Sequence, residues 1–225
     1  MKWLSERLTG YIVKSGAISE ESYVVYQYGF QIGLEMLCCF AVCLGMAVYL
    51  HMIPEFFVFT GIFMSLRTYA GGLHLNSFVS CFVCSVFVQT AVLLLNSLYV
   101  LPLSAAWIAT VLCVILIWKL APVESVNREL DSDEKKYCKK VTAKIAVGIL
   151  AFAGICTAVN SKSVVSLIAV TMTVIAISQY IGIVKYKIEK KNKRNSRTYL
   201  LFPLFPIIEQ IAPIVADQRY ESINA

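Results

Sequence analysis

Six apolar runs separated by short connections set the pattern of this chain, near 25–50, 53–67, 78–100, 104–121, 141–159 and 163–184. A bilayer core of about 30 Å needs roughly 20 apolar residues per helix, and all but the second run approach or exceed that length. At about 1.5 Å per residue, Ile53 to Leu66 covers only some 20 Å. The second run therefore stops within the membrane, thins it, or continues into the segment that follows. Ahead of the runs, Trp3, Leu4, Leu8, Tyr11 and Ile12 recur at helical spacing. That spacing predicts a short helix, either lying on the membrane surface or packed as an ordinary amphipathic helix on protein. The predicted class is all-α: a polytopic membrane protein of about six transmembrane helices with an N-terminal interfacial helix.

Composition strengthens this class. Of 225 residues, 58% are hydrophobic and 15% charged, against roughly 45–50% and 25% in soluble domains. The first 22 residues are charged throughout and do not read as a cleavable signal peptide. Lys and Arg gather before the first run and after the second, fourth and sixth, whereas the alternate connections carry only Lys162. This distribution predicts both termini in the cytoplasm. The net charge of +6 is then mostly the positive-inside pattern plus attraction to anionic lipid, with no nucleic acid partner. Beyond the sixth run, Pro203, Pro206 and Pro213 argue against a straight seventh span. Residues 1–195 are expected to form one membrane domain, and 196–225 a tail that is interfacial or re-entrant. Most of the eight cysteines sit in apolar runs, where Cys behaves as a small hydrophobe, so no structural disulfide is expected.

One stretch does not read as packing. Between the second and third runs lies RTYAGGLHLNSFVSC, Arg67 to Cys81, with paired glycines and one of only two histidines. Asn76 or Ser77 can cap the third helix, placing Cys81 near its first turn. There the unpaired backbone N–H groups and the positive dipole end favour a thiolate nucleophile, and a neighbouring His would supply the base. On one continuous helix His74 and Cys81 would stand about 10.5 Å apart, too far to act together, so the chain between them must turn. Gly71 and Gly72 can take positive φ, and Asn76 tolerates turn conformations. A plain inter-helix loop with a capping Asn would show the same residues, and that reading stays open. Cys81 and Cys84 with His74 give only a weak zinc signal, so no metal and no cofactor are assigned.

Polar residues inside the runs add to the picture. Gln27, Gln31 and Glu35 fall on one face of the first span, and Cys81, Ser85, Gln89 and Asn96 on one face of the third. Such groups normally face a bundle interior or a wet cavity. Together they outline a cytosol-open cleft, with hydrogen-bonded helix packing as the alternative for Asn96 and Gln179. Glu35 is expected to hydrogen-bond His74 or pair with Arg67.

RTYAGGLHLNSFVSC resembles the R-x3-GG-x-H-x6-C motif of the AgrB family, membrane cysteine endopeptidases of Gram-positive quorum-sensing systems. YQYGFQ, Tyr26 to Gln31, is similar to that family's first-span motif, and LAPVESVNREL, Leu120 to Leu130, to the segment after its fourth span. The resemblance runs from about residue 1 to 190, and residues 1–195 would form an AgrB-like peptidase domain. It implies His74 as general base, Cys81 as nucleophile and Gln31 as a polar group near the reacting carbonyl. Arg67, Gly71 and Gly72 complete the motif, which does not itself require Glu35. The implied substrate is an AgrD-like precursor peptide on the inner leaflet of the cell membrane, cleaved on the C-terminal side of its signal segment and closed into a thiolactone or lactone. Membrane lipids are further partners, and a homodimer is left open. The competing reading is a non-catalytic polytopic protein that exports or docks the peptide.

Overall fold

The computed structural model describes residues 2–16, 19, 22–73, 78–123 and 131–201, with side chains as far as Lys191. Among these residues the secondary structure is helical: α1 (Lys2–Lys14), α2 (Tyr23–Tyr49), α3 (Ile53–Ala70), α4 (Phe78–Leu98), α5 (Leu103–Leu120), α6 (Ser132–Ala158) and α7 (Lys162–Leu201). Five of them, α2, α4, α5, α6 and α7, are long and apolar enough to cross a membrane. The all-α, polytopic class expected from the sequence holds.

The exception is α3, the short second run. It continues beyond residue 67 to Ala70, giving 18 residues or about 27 Å. Its composition falls short of a lipid-facing span because it carries Pro54, Glu55 and Arg67. Shielding by protein compensates: Phe56, Leu66 and Ala70 are fully buried. The opposite face, with Ile53, Phe57 and Met64, is exposed and apolar.

With α3 at the centre stands α7, 44% of whose apolar window is buried against 11–22% for the other four spans. Two clusters hold the bundle. Ile62, Leu66 and Ala70 of α3 meet Cys113 and Ile117 of α5, Ile149 and Ala153 of α6, and Ile168, Met172 and Ile175 of α7. Phe56 and Phe59 of α3 meet Cys43 and Ala47 of α2, Val92 and Leu93 of α4, and Leu167 of α7. Ala106 of α5 packs with Val165 and Ala169 of α7, small side chains that let helix backbones approach closely. Outer faces are apolar, with Phe87, Ile108, Val147 and Ile155 exposed, as lipid requires.

Two helices outrun their expected limits. The sixth helix in order, α6, begins at Ser132 rather than near 141, fixed by a capping box. The Asp131 side chain accepts from Ser132 N at 2.8 Å, and Glu134 accepts from Asp131 N at 3.4 Å. An apolar run marks only the membrane part of a helix, and Lys and Glu are good helix formers beyond it. For the same reason α7 continues past 184 through KIEKKNKR to Leu201. Of the expected tail, residues 202–225 lie outside the described residues.

The N-terminal helix turns its small polar side to the protein. Ser5 and Thr9 are fully buried, while Trp3, Leu4, Leu8 and Tyr11 face outward. Its tie to α2 is Gln27 Nε2 donating to Glu6 Oε1 at 3.3 Å. The outward apolar and aromatic face, with Arg7 stacked 5.1 Å from the Trp3 ring, is the one a membrane surface would take up.

Candidate active site

The site is built where α3 ends. Gly71 has φ 76° and ψ −169°, a region open essentially to glycine alone, and its N–H returns to Arg67 O at 3.2 Å. A side chain here is excluded by space as well, because a Cβ on Gly71 would lie 2.7 Å from Val123 O. Gly72 is confined by side-chain ends instead: its Cβ would stand 2.9 Å from Ser178 Oγ and 3.1 Å from Arg67 Nη1. The paired glycines are thus clamped between the segment after α5 and the side of α7.

Hydrogen bonds complete the clamp. Ala70 O, freed by the end of the helix, accepts from Val123 N at 3.0 Å and from Gln179 Nε2 at 3.1 Å. Arg67 reaches forward so that its Nη2 donates to Leu73 O, while its guanidinium carbon lies 5.6 Å from the Phe63 ring centre. Gly182 of α7 lies against the same backbone, with room for no Cβ: one would come within 2.9 Å of Gly72 C and 3.1 Å of Leu73 N. The residue after Leu73 is His74, which with Asn76 and Ser77 lies outside the described residues. The expected His–Cys contact and the expected cap lie there too.

Cys81 is in the first turn of α4, which begins at Phe78. It is half-buried, whereas Cys84, one turn on along the same side of the helix, is exposed. Arg67 is within electrostatic reach of both. Cys39 of α2 lies within electrostatic reach of Cys81. All eight cysteines are free thiols.

Of the partners expected for Glu35, His74 lies outside the described residues, and among those residues Arg67 meets Leu73 O and the Phe63 ring and not Glu35. Glu35 instead accepts from Gln31 Nε2 at 3.1 Å, so the two α2 residues form a unit. The polar face of α4 divides. Gln89 Nε2 donates to Cys43 O at 3.0 Å and ties α4 to α2, and Asn96 Nδ2 donates to Ser163 Oγ at 3.2 Å and ties α4 to α7. Both side chains are buried, so the cleft expected along this face does not extend to them. The sequence leaves Gln179 open between the cleft and hydrogen-bonded packing, names Val123 only within the segment after the fourth run, and does not single out Ser178 or Gly182. The Ser178-x-x-x-Gly182 spacing on α7 is a small-residue pattern that signals close backbone approach.

Fold and site together define a polytopic helical membrane protein whose cysteine stands at a helix start beside an arginine-braced glycine turn. The accessory gene regulator B (AgrB) family model matches residues 5–183, and the chain belongs to that family. It is therefore a membrane protein of the accessory gene regulator system. No curated protein and no solved structure matches the chain.

Proposed function

We propose that this chain is a membrane-embedded cysteine endopeptidase that cleaves an AgrD-like precursor peptide and promotes its cyclisation for quorum sensing. The observation that carries the reading is the placement of Cys81: in the first turn of α4 and half-buried, where Cys84, one turn further on, is exposed. Family membership and the match of the chain to the R-x3-GG-x-H-x6-C motif support it further.

In this mechanism His74 takes the proton of the Cys81 thiol. The sulfur attacks the carbonyl carbon of the peptide bond on the C-terminal side of the signal segment. The C–N bond breaks, the leaving amine takes the proton from His74, and an acyl thioester remains on Cys81. An internal Cys or Ser of the peptide then gives its proton to His74 and attacks the thioester carbonyl. The C–S bond to Cys81 breaks, the sulfur regains the proton, and a thiolactone or lactone is released. The thioester conserves free energy that hydrolysis would lose, and a water-poor site favours the tethered nucleophile over water. Gln31, held by Glu35, is the polar group assigned to the reacting carbonyl, and the Arg67–Gly71–Gly72 turn sets the path of the chain into His74. Both termini and the loop are assigned to the cytoplasmic side of a Gram-positive cell membrane.

The test is co-expression with the small peptide encoded beside the gene, followed by mass spectrometry of both cleavage products. A cyclic product and a released C-terminal fragment, both lost in Cys81→Ala, are expected. Intact precursor with the native protein, or processing by Cys81→Ala, would leave export or docking as the function.

A further inference from the structure

We infer that Gln179 and Gly182 of α7 are positioning residues of the reactive site, setting where the chain enters His74; this rests on the reading of His74 and Cys81 as the reactive pair. The end of α3 is a natural weak point, because its last carbonyls have no partner within the helix. Two helical features of α7 remove that freedom. Gln179 Nε2 holds Ala70 O at 3.1 Å. One turn on, Gly182 presents bare backbone, so that Gly72 C and Leu73 N lie within 3.1 Å of where its Cβ would be. Leu73 is also gripped from the other side by Arg67, and it is the residue immediately before His74.

Packing alone does not account for glutamine here. Gln179 is fully buried, and among the described residues its Oε1 has no hydrogen-bond partner. A leucine would fill similar space without stranding an acceptor in the bundle, and a buried unpaired polar atom is unfavourable. The amide is kept for what its N–H does, which is to hold the turn. Because α7 is also the most buried of the five long apolar helices, it is a rigid support, and positioned sites need rigid supports.

The experiment compares Gln179→Leu and Gly182→Ala with Gly148→Ala, whose added Cβ meets nothing within 4 Å. Purified full-length protein in lipid vesicles is assayed for precursor cleavage (kcat and KM), for thermal unfolding, and for iodoacetamide labelling resolved at Cys81. A displacement on the order of 1 Å can cost about 100-fold in rate. Both α7 variants are expected to lower kcat by roughly tenfold or more, with KM nearly unchanged and the protein folded. Gln179→Leu is expected to unfold no earlier than the native protein, which separates positioning from simple destabilisation, and Gly148→Ala is expected to behave as native. Native kcat in both α7 variants, with His74→Ala and Cys81→Ala inactive, would overturn the inference and leave the peptidase standing. Failure of both α7 variants to fold would overturn it too, making the contact a determinant of the bundle. Cleavage by His74→Ala and Cys81→Ala would remove the peptidase reading and this inference with it.

Discussion

Replacing Gly71 by alanine tests the glycine clamp most directly, because its cost has separable parts. A non-glycine residue at φ 76° and ψ −169° costs about 1–3 kcal/mol in backbone strain. The new Cβ would also lie 2.7 Å from Val123 O, about 0.6 Å inside a normal C···O approach. That atom belongs to backbone and cannot rotate away. Moving it loosens Val123 N–H from Ala70 O, now at 3.0 Å, worth about 1 kcal/mol net. Together these give roughly 2–4 kcal/mol, or about 30- to 1000-fold in the population of the native turn. At Gly72 the atoms in the way are the ends of side chains, Ser178 Oγ at 2.9 Å and Arg67 Nη1 at 3.1 Å. Shifting them costs about 0.5–1.5 kcal/mol, so the loss there is roughly tenfold or less. Precursor cleavage in membranes, normalised to inserted protein, reads both. Gly71→Ala is expected to be nearly inactive and Gly72→Ala partly active. The reverse order, or a fully active Gly71→Ala, would refute the geometry of the turn.

Other substitutions separate the roles of neighbouring residues. Cys81→Ala should abolish cleavage and leave precursor binding intact, and Cys81→Ser should be severely impaired. Cys84→Ala should keep most activity; an inactive but folded Cys84→Ala would move the nucleophile. Glu35→Gln retains an acceptor for Gln31 and should cleave at near the native rate, whereas Glu35→Leu releases the Gln31 amide and should be slower. Equal impairment across pH 6 to 9 would instead show that the charge of Glu35 matters. Arg67→Lys keeps a cation but not the planar fork shared between Leu73 O and the Phe63 ring, so it should cleave more slowly than native and faster than Arg67→Gln. Equal rates for these two variants would exclude a role for the charge. Gln89→Leu removes the donor to Cys43 O, a tie between helices worth about 0.6–2 kcal/mol; it should lower thermal stability modestly and spare cleavage, and a large loss of cleavage would place Gln89 in the site.

The spans were legible because hydropathy alone reports which segments lipid can surround. The same signal misjudged the ends of α6 and α7, where charged but helix-forming residues carry the helix into water. It also could not show that α3 packs against α2, α4, α5, α6 and α7, since its buried face of Phe56, Phe59, Ile62 and Leu66 is no more apolar than its exposed face of Ile53, Phe57 and Met64. The glycine turn was legible from local chemistry, with Gly71 taking the positive φ that the sequence allowed. What holds that turn was not. Val123, Gln179 and Gly182 are far from it in sequence, and their role exists only once α5 and α7 are packed against α3. The face of Gln89 and Asn96 misled for a related reason: residues that share a side of a helix can meet different neighbours along its length. Depth turned them from candidate cleft residues into inter-helix ties.

The placement of Arg67 explains why such a site can exist at the end of a buried helix. Among the described residues its guanidinium meets a carbonyl and an aromatic face, with no carboxylate beside it. A carboxylate would satisfy the arginine more fully, but it would also cancel the charge. Bracing the guanidinium with these dipoles fixes its position without adding a counter-charge of their own. In surroundings of low dielectric the field of the guanidinium acts strongly over several ångströms, and Cys81 lies within its reach. On the proposed reading of Cys81 as nucleophile, negative charge developing on a carbonyl oxygen in the transition state is what such a field would favour. On that reading, the residue whose guanidinium holds Leu73 O would also supply positive charge to the reaction, linking the shape of the turn to its chemistry through one side chain.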